Sequence, residues 1–228
     1  MKYCVIGLGY FGYNLAISLS KAGAEVLVID NHQDKIDDIS NKVTTAICMD
    51  STDKRTLASL GLDEMDAVIV AIGGDFEGSL LTTAHLQDLG IKKIYNRRTS
   101  KVHERILNLM DVHEILVPEA DAAEQLKNRL MMPGLIESFK LSSDFGVYEI
   151  AAPKMFIGKT LIDTNLRSDY KLNLVTIKRK NTEKKIFKSK KAEKYIVIGV
   201  PKPDEIILDG DILVLFGQDK DIKDLLEE

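Results

Sequence analysis

The chain has 228 residues, of which 45% are hydrophobic and 29% charged, and its net charge is −4. This composition is typical of a soluble globular protein with one large or two small domains, and the excess of acidic residues argues against a nucleic-acid binder. The longest apolar runs have the length of strands, short of the ~20 residues of a membrane span, so no transmembrane segment is predicted.

The first predicted elements are a strand, a glycine-rich turn, a helix and a second strand. The first strand covers Met1–Ile6 and is followed at once by Gly7-Leu8-Gly9-Tyr10-Phe11-Gly12 and an apolar helix pattern. The second strand covers Glu25–Ile29 and ends on Asp30, 18 residues after the last glycine of the turn. This order of elements indicates a dinucleotide-binding βαβ unit.

Each residue type in this unit suits a nucleotide. Gly7 permits the tight turn, Gly9 lets a pyrophosphate approach the backbone, and Gly12 lets the helix lie close to the strand. The N-terminus of the helix offers unpaired N–H groups and the positive end of its dipole to phosphates. Asp30 can accept hydrogen bonds from ribose hydroxyls and would repel a 2′-phosphate. The alternative is a glycine-rich turn without a ligand, which the surrounding elements together disfavour.

Strands and helices continue to alternate as far as residue 117. Helices are predicted at Lys35–Ser40, from the N-cap Asp53 through Leu60, at Phe76–Leu89 and at Lys101–Met110. Further strands are predicted at Thr45–Met49, Asp66–Ile72, Lys92–Asn96 and Glu114–Val117. Six strands with helices between them predict an α/β fold with a Rossmann-like doubly wound parallel sheet. Its carboxyl edge would be lined by the strand ends at Gly7, Asp30, Asp50 and Gly73.

The pattern changes after Pro118. A helix predicted over Glu119–Met132 carries an apolar face that suits either a dimer contact or an ordinary core, formed by Ala122, Ala123, Leu126 and Leu130. Short strands follow at Val147–Ala151, Leu174–Lys178, Tyr195–Val200 and Ile212–Phe216, with a final helix at Asp219–Leu226. The lysine-rich stretch 178–194 predicts a solvated hairpin with basic arms. The alternative, a contact surface for an anionic partner, is less favoured because no aromatic residues are interleaved at stacking positions. We therefore predict a nucleotide-binding domain at 1–118, a crossover helix at 119–137 and a small α+β domain at 138–228.

Several of these motifs resemble those of the RCK (regulator of potassium conductance) proteins, and most closely the potassium-uptake regulators KtrA and TrkA. The resemblance covers nearly the whole chain and includes the stretches 4–12, 28–30, 50–53, 71–73, 118–119, 157–161 and 208–211. It implies a gating subunit rather than an enzyme, cytoplasmic and held at the inner face of the membrane by its partner. Such proteins form homodimers that assemble into an octameric ring beneath a membrane-embedded potassium channel, and nucleotide binding changes the conductance of that channel.

For the first domain the resemblance implies a site for an adenine nucleotide, either ATP/ADP or NAD(H). Its residues would be Gly7, Gly9, Tyr10, Phe11, Gly12, Asp30, Asn31, Asp50, Ser51, Ala71, Ile72, Gly73 and Arg97. Tyr10 departs from the ATP-responsive members, which carry arginine there, and this leaves NAD(H) or AMP-like ligands open. Arg97 would reach ribose or phosphate. Alternatively, Arg97 or its neighbour Arg98 pairs with a surface carboxylate.

Two further ligands are implied. Glu119 would face its dimer mate and share a divalent cation with the nucleotide phosphates, or else it merely favours the N-terminus of the next helix. The second domain contains a segment similar to the cyclic-di-AMP site of some KtrA proteins, with Leu161, Leu166, Arg167, Leu172 and Asn173. The alternative for this segment is an ordinary helix–strand junction with an arginine that faces solvent.

Two other functions stay open, an NAD-dependent oxidoreductase and a free-standing nucleotide sensor. The oxidoreductase would need a general acid or base near the nicotinamide, and no catalytic spacing accompanies the histidines at 32, 85, 103 and 113. Each histidine is therefore interpreted as a surface or structural residue. Cys4 and Cys48 fall in predicted buried strands without a C-x-x-C motif, which indicates reduced core thiols.

Overall fold

The computed structural model describes residues 1–181 and 195–227, and the chain divides into two compact units, Met1–Ala120 and Asp121–Glu228. The division falls inside a helix, α6 (Pro118–Met131). The three-segment organisation predicted from the sequence, with boundaries at 118 and 137, stays a prediction. No helix in the described ranges is both long and apolar enough to cross a bilayer.

The first unit is the predicted Rossmann-like fold. Within the described residues its parallel sheet has the order β3-β2-β1-β4-β5-β6. The strands are β1 (Lys2–Ile6), β2 (Glu25–Asp30), β3 (Thr45–Cys48), β4 (Ala67–Val70), β5 (Ile94–Arg97) and β6 (Glu114–Leu116). The helices are α1 (Tyr10–Lys21), α2 (Gln33–Ile39), α3 (Lys54–Ala58), α4 (Phe76–Asp88) and α5 (Lys101–Leu109). The change of direction in strand order lies between β1 and β4, where open α/β sheets bind their ligands.

Burial of the central strands explains why this sheet forms. β2 and β4 are nearly continuous runs of buried Val, Ile, Leu and Ala, and β1 buries its last three residues, as strands covered on both faces require. Alternate residues of β1 pack into two separate hydrophobic cores, Cys4 and Ile6 into one and Val5 into the other. Burial raises the pKa of the Cys4 thiol above its ordinary value, which keeps it protonated and unreactive.

Two local predictions have clear outcomes in this unit. The predicted cap is confirmed, because Oδ1 of Asp53 accepts hydrogen bonds from the backbone N–H groups of Arg55 and Thr56, at 3.0 and 3.4 Å. The prediction that Cys48 is buried is wrong. Cys48 ends β3, the edge strand of the sheet, whose end residues face solvent.

The second unit is an antiparallel sheet with helices, the predicted α+β type. In the described part of the chain the strand order is β10-β9-β11-β8-β7. The strands are β7 (Leu135–Lys140), β8 (Phe145–Ala151), β9 (Asn173–Lys180), β10 (Tyr195–Val197) and β11 (Ile212–Gln218), and α7 (Asp219–Glu227) follows them. Only the first arm of the predicted lysine-rich hairpin is described, as the end of β9, and residues 182–194 lie outside the described ranges.

The core of this unit gathers large side chains from the sheet and from the connection between β8 and β9. Tyr148, Phe156, Leu172 and Ile177 are each at most 2% exposed and belong to one cluster. The hydroxyl of Tyr148 donates to Asp219 at the start of α7, and this bond together with burial raises the pKa of the tyrosine. Arg179 of β9 pairs with the buried carboxylate of Asp211 at 2.8 Å.

Candidate nucleotide-binding site

The glycine-rich turn joins β1 to α1, and its three glycines meet different constraints. Gly7 has φ +98°, a left-handed conformation that suits glycine, and its N–H donates to the carbonyl of Ile29 at 2.7 Å. A Cβ on Gly12 would overlap the carbonyl oxygen of Gly7. Gly9, in contrast, has extended backbone angles and open space where a Cβ would stand. Gly7 and Gly12 are therefore required by the fold, whereas Gly9 leaves room for a ligand.

The N-terminus of α1 opens onto the carboxyl edge of the sheet. No side chain caps it, and no acidic residue lies in its first turn. Its first N–H groups have no acceptor within the helix, so this end carries partial positive charge without a competing carboxylate on α1. Tyr10, the first residue of the helix, is 90% exposed. This end of the helix is suited to bind phosphate groups.

A cavity of about 370 Å³ lies at this edge of the first unit. The predicted residues that line it are Gly7, Gly9, Asp30, Asn31, Asp50, Ser51, Ala71, Ile72 and Gly73. Tyr10, Phe11, Gly12 and Arg97 do not line it. Its walls also include residues that the sequence analysis did not single out for this site, among them His32, Lys35, Met49, Asp75 and Gly78. The structure thus brings most of the predicted set together, while the binding roles stay predictions.

Asp30 is the most heavily hydrogen-bonded group in the cavity. Its Oδ2 accepts from the backbone N–H of Leu8 at 2.6 Å, and its Oδ1 accepts from the backbone N–H of His32 at 3.0 Å. Lys35 Nζ lies 3.2 Å from both oxygens, and Nδ1 of His32 lies 3.0 Å from Oδ1. Burial alone would raise the pKa of Asp30, but these hydrogen bonds and the charge of Lys35 hold it below its ordinary value.

These contacts give Asp30 a structural role besides the predicted one. Its bond to Leu8 fixes the glycine-rich turn against the end of β2. The His32 ring and the Lys35 ammonium are more than one-third exposed, so ribose hydroxyls could replace them as donors to the carboxylate. Lys35 could have been identified from the sequence as a cation in the first turn of α2, five residues after Asp30.

Asp50 and Ser51 follow β3 and line the cavity. Oδ1 of Asp50 accepts from the hydroxyl and the backbone N–H of Thr52, at 2.7 and 2.9 Å, and these bonds lower its pKa. The Ser51 hydroxyl is 2.8 Å from that of Thr82 on α4. Both side chains are held in place by the protein before any ligand enters.

The two arginines at the end of β5 both pair with carboxylates, which is the alternative that the sequence left open. Arg97 donates through Nη2 to Glu119, and Arg98 donates through Nη1 to Glu104 of α5 at 2.5 Å. Burial alone would raise the pKa of Glu119, but the hydrogen bond and charge of Arg97 lower it below its ordinary value. Arg97 therefore lies behind the cavity wall with its charge already matched by Glu119.

A second cavity, of about 530 Å³, lies within the second unit. All the residues predicted for the second ligand line it: Leu161, Leu166, Arg167, Leu172 and Asn173. Nε of Arg167 donates to Oδ1 of Asn173 at 2.6 Å. The walls of the cavity also include residues that were not predicted, among them Pro201, Pro203 and the 90% exposed Val200. In the part of the chain that the structure describes, the lining combines an apolar wall with one cationic group, as a nucleotide base and a phosphate would require.

The TrkA-N domain model matches residues 3–118 of this chain. The chain is also 34% identical, over 97% of its length and 94% of the other protein, to "Ktr system potassium uptake protein C" of Bacillus subtilis (strain 168). The chain belongs to the TrkA-N family, within the RCK proteins of the Ktr type. The resemblance found in the sequence is confirmed.

Solved structures show the same fold. The crystal structure of the GsuK RCK domain superimposes with a TM-score of 0.63 at 14% identity, and the match covers 100% of this chain and 48% of that one. The GsuK channel bound to NAD gives a TM-score of 0.51 at 20% identity, over 99% of this chain and 38% of that one. At these identities the likeness concerns the fold alone, and this RCK-type chain spans about half or less of each GsuK chain.

Proposed function

We propose that this chain is a cytosolic, nucleotide-binding regulatory subunit of a potassium uptake system and not an enzyme. The observation that carries the proposal is the cavity at the carboxyl edge of the sheet, where the glycine-rich turn, Asp30 and the uncapped N-terminus of α1 meet. The relationship to a Ktr system potassium uptake protein, over nearly the full length of both chains, supports the transport role. Binding in the cavity would control a partner because a ligand shifts a conformational equilibrium by its difference in affinity between two states.

The proposed ligand is an adenine nucleotide. Phosphates would approach the open backbone at Gly9 and the N-terminus of α1, and the ribose would bind at Asp30. ATP, ADP and NAD(H) all carry these groups. Tyr10 brings no positive charge to a terminal phosphate, so we favour ADP or NAD(H) over ATP. That a GsuK channel binds NAD on the same fold supports a dinucleotide as one of the candidates.

The proposed partner is a membrane-embedded potassium channel or transporter subunit, to which the chain would be held at the inner face of the membrane. We further propose that homodimers assemble into an octameric ring. Two features support self-association. The apolar stripe of α6 is open, with Leu126 and Leu130 48% and 72% exposed. The first unit also has an apolar groove of about 420 Å³, whose walls include Tyr3, Phe11 and Leu15. Apolar surfaces of this kind are typical of interfaces between copies.

For the second cavity we propose cyclic-di-AMP as the ligand. Arg167 would pair with a phosphate, Asn173 would face an adenine edge, and the leucines would pack on the bases. All five predicted residues line the same cavity, and this supports a common ligand more strongly than their proximity in the sequence. Because Arg167 already donates to Asn173, a ligand would have to share or replace that bond.

The histidines do not favour the oxidoreductase alternative. His103 is fully buried on α5, where Nδ1 is 3.2 and 3.0 Å from the backbone nitrogen and hydroxyl of Thr99. His85 bonds the carbonyl of Thr52, and His113 packs edge-on against Tyr95. His32 alone lines the cavity, and it contacts Asp30 at the predicted ribose position. Turnover in a hydride-transfer assay with NADH and common oxo acids would contradict the regulatory proposal.

Calorimetric titration tests the proposal directly. We expect the purified chain to bind ADP or NADH, and the Asp30→Ala variant to lose about tenfold or more in affinity, since it loses the ribose acceptor. Asp34→Ala is the matched control, because Asp34 is an exposed acid on α2 outside the cavity. Absence of heat and of any thermal shift with ATP, ADP and NADH would refute the nucleotide site. Co-purification with a membrane transport subunit separates the gating role from a free-standing sensor.

A further inference from the structure

The nucleotide cavity has a carboxylate on each side of the glycine-rich turn. This turn follows β1, which lies between β2 and β4 in the sheet. Asp30 ends β2, Asp75 follows β4 at the start of α4, and both residues line the cavity. Neighbouring strands are about 4.8 Å apart, so β2 and β4 are separated by about 10 Å. Phosphates bound at the turn would therefore have an acid on either side.

Asp75 is positioned by the backbone of α4 and not by a cation. It is the N-cap of this helix, and its Oδ1 accepts a hydrogen bond from the backbone N–H of Gly78 at 2.9 Å. A Cβ on Gly78 would overlap the carboxylate, so glycine at this position leaves room for it. Among the described residues no basic side chain pairs with Asp75. The guanidinium of Arg97, behind the cavity wall, pairs with Glu119 instead.

The two helices that begin at this edge of the sheet offer different charges to a ligand. α1 begins without a side-chain cap, and its positive end is not offset by an acid in its first turn. α4 begins with the carboxylate of Asp75, which offsets the positive end of that helix. A free terminal phosphate that extended from the turn toward α4 would meet this negative charge and be repelled. A sugar hydroxyl in the same place would donate a hydrogen bond to the carboxylate.

We propose that Asp75 selects a dinucleotide over nucleotides that end in a phosphate. In NAD(H) both phosphates are esterified, and each of them carries a ribose. The pyrophosphate lies at the glycine-rich turn, with one ribose at Asp30 and the other at Asp75. ADP and ATP lack the second ribose and present their terminal phosphate to Asp75 instead. The inference rests on the proposed nucleotide site and narrows the class of its ligand.

ADP-ribose tests the inference, because it is ADP with a second ribose on the terminal phosphate and has no nicotinamide. The dissociation constants of ADP, ADP-ribose and NADH are measured by calorimetry in one buffer. We expect the unmodified chain to bind ADP-ribose and NADH about tenfold or more tightly than ADP. Asp75→Asn should reduce this preference to about threefold or less, because asparagine is an equally good N-cap without the charge. Glu77→Gln is the matched control, since it removes the same charge from the first turn of α4 outside the cavity lining, and the preference should remain.

The outcomes separate this inference from the nucleotide site itself. If the unmodified chain binds ADP as tightly as ADP-ribose or more tightly, the inference is overturned and the nucleotide site stands. The same holds if Asp75→Asn weakens all three ligands by one factor, which indicates a cap that only supports α4, or if Glu77→Gln also loses the preference. Absence of binding by all three ligands removes the proposed function. Circular dichroism checks that Asp75→Asn is folded; if it is not, Asp75→Ser, a second neutral N-cap, is measured in its place.

Discussion

At the scale of single residues, two glycines of one turn separate a structural role from a binding role. Alanine at Gly12 places a Cβ against the carbonyl oxygen of Gly7, and only 3.0 Å from Cβ of Ala71. Overpacking of this kind costs about 1–3 kcal/mol, so we expect Gly12→Ala to lower the free energy of unfolding by that amount. Urea denaturation measures it. An unchanged midpoint would contradict the close approach of α1 to β1.

Gly9→Ala should have the opposite profile. Open space surrounds its Cβ position, and its backbone angles are accessible to alanine. Alanine is a poorer N-cap than glycine, which destabilises the folded chain, but it also lowers the entropy of the unfolded chain, which stabilises the fold. The two effects should cancel to within about 0.5 kcal/mol, so the free energy of unfolding should hardly change. The affinity for ADP should nevertheless fall about tenfold or more, because the methyl group stands where phosphates approach. Calorimetry on the folded variant measures this, and normal affinity would exclude phosphates from this turn.

Asp30 makes stability depend on pH. Hydrogen bonds from Leu8, His32 and Lys35 outweigh burial and hold its pKa below the value of an unfolded aspartate, which is about 3.9. A carboxyl whose pKa is depressed by folding stabilises the protein above the unfolded pKa and loses that effect as pH falls through its folded pKa. We expect Asp30→Asn to cost about 1–3 kcal/mol at pH 7 and progressively less below about pH 4. Urea denaturation across this range measures the difference, and a constant difference would contradict the contribution of the charge.

The residue-level predictions worked where the physical reason was local. Gly7 and Gly12 were identifiable because a tight turn and a close helix–strand contact each demand glycine. His32 and Lys35 were missed as cavity residues because their position depends on how α2 starts after β2, which spacing alone does not determine. The ion pair between Arg97 and Glu119 joins residues 22 positions apart on two elements. The sequence therefore indicated that Arg97 could pair with a carboxylate, but it did not identify which one.

At the scale of elements, periodicity predicted what is buried on a regular face. The central strands β2 and β4 were placed to within a few residues because they are continuous apolar runs. β7 was missed because its residues, Leu-Ile-Glu-Ser-Phe-Lys, lack the alternation of a half-buried strand, and only Leu135 is buried. Cys48 was misjudged for a related reason, since the sequence does not reveal which strand lies at the edge of a sheet.

The exposed stripe of α6 gives a prediction at the element scale. No residue of this helix is buried in the chain, and Leu130 is 72% exposed. A charge there should change the free energy of unfolding of an isolated chain by no more than about 0.5 kcal/mol. We expect Leu130→Glu to abolish self-association, because a carboxylate would be buried at the proposed contact between copies. Light scattering at micromolar concentration measures the mass.

The control for this prediction is Gln125→Glu, which adds the same charge on the same helix away from the stripe. It should leave the mass unchanged. If the unmodified chain is already a monomer, the ring proposal fails. If both variants remain assembled, α6 is not the contact.

At the scale of the whole molecule, the described residues form a candidate ligand cavity in each of the two units. A regulatory role requires that occupancy of one site be felt elsewhere. Coupling between the two sites can be measured without the membrane partner. If a nucleotide changes the affinity for a second ligand by some factor, the second ligand must change the affinity for the nucleotide by the same factor.

We therefore expect ADP or NADH to change the dissociation constant of cyclic-di-AMP by about 5- to 150-fold, the usual range of allosteric coupling, and cyclic-di-AMP to change that of the nucleotide equally. Calorimetric titration of each ligand, with and without saturation by the other, measures both factors. Arg167→Ala should remove the coupling together with the second ligand, because it deletes the one cationic side chain among the described residues that line that cavity. If both ligands bind and neither changes the dissociation constant of the other, the two sites are not coupled within the assembly formed by this chain. Regulation would then have to arise through contacts that each unit makes separately with a partner.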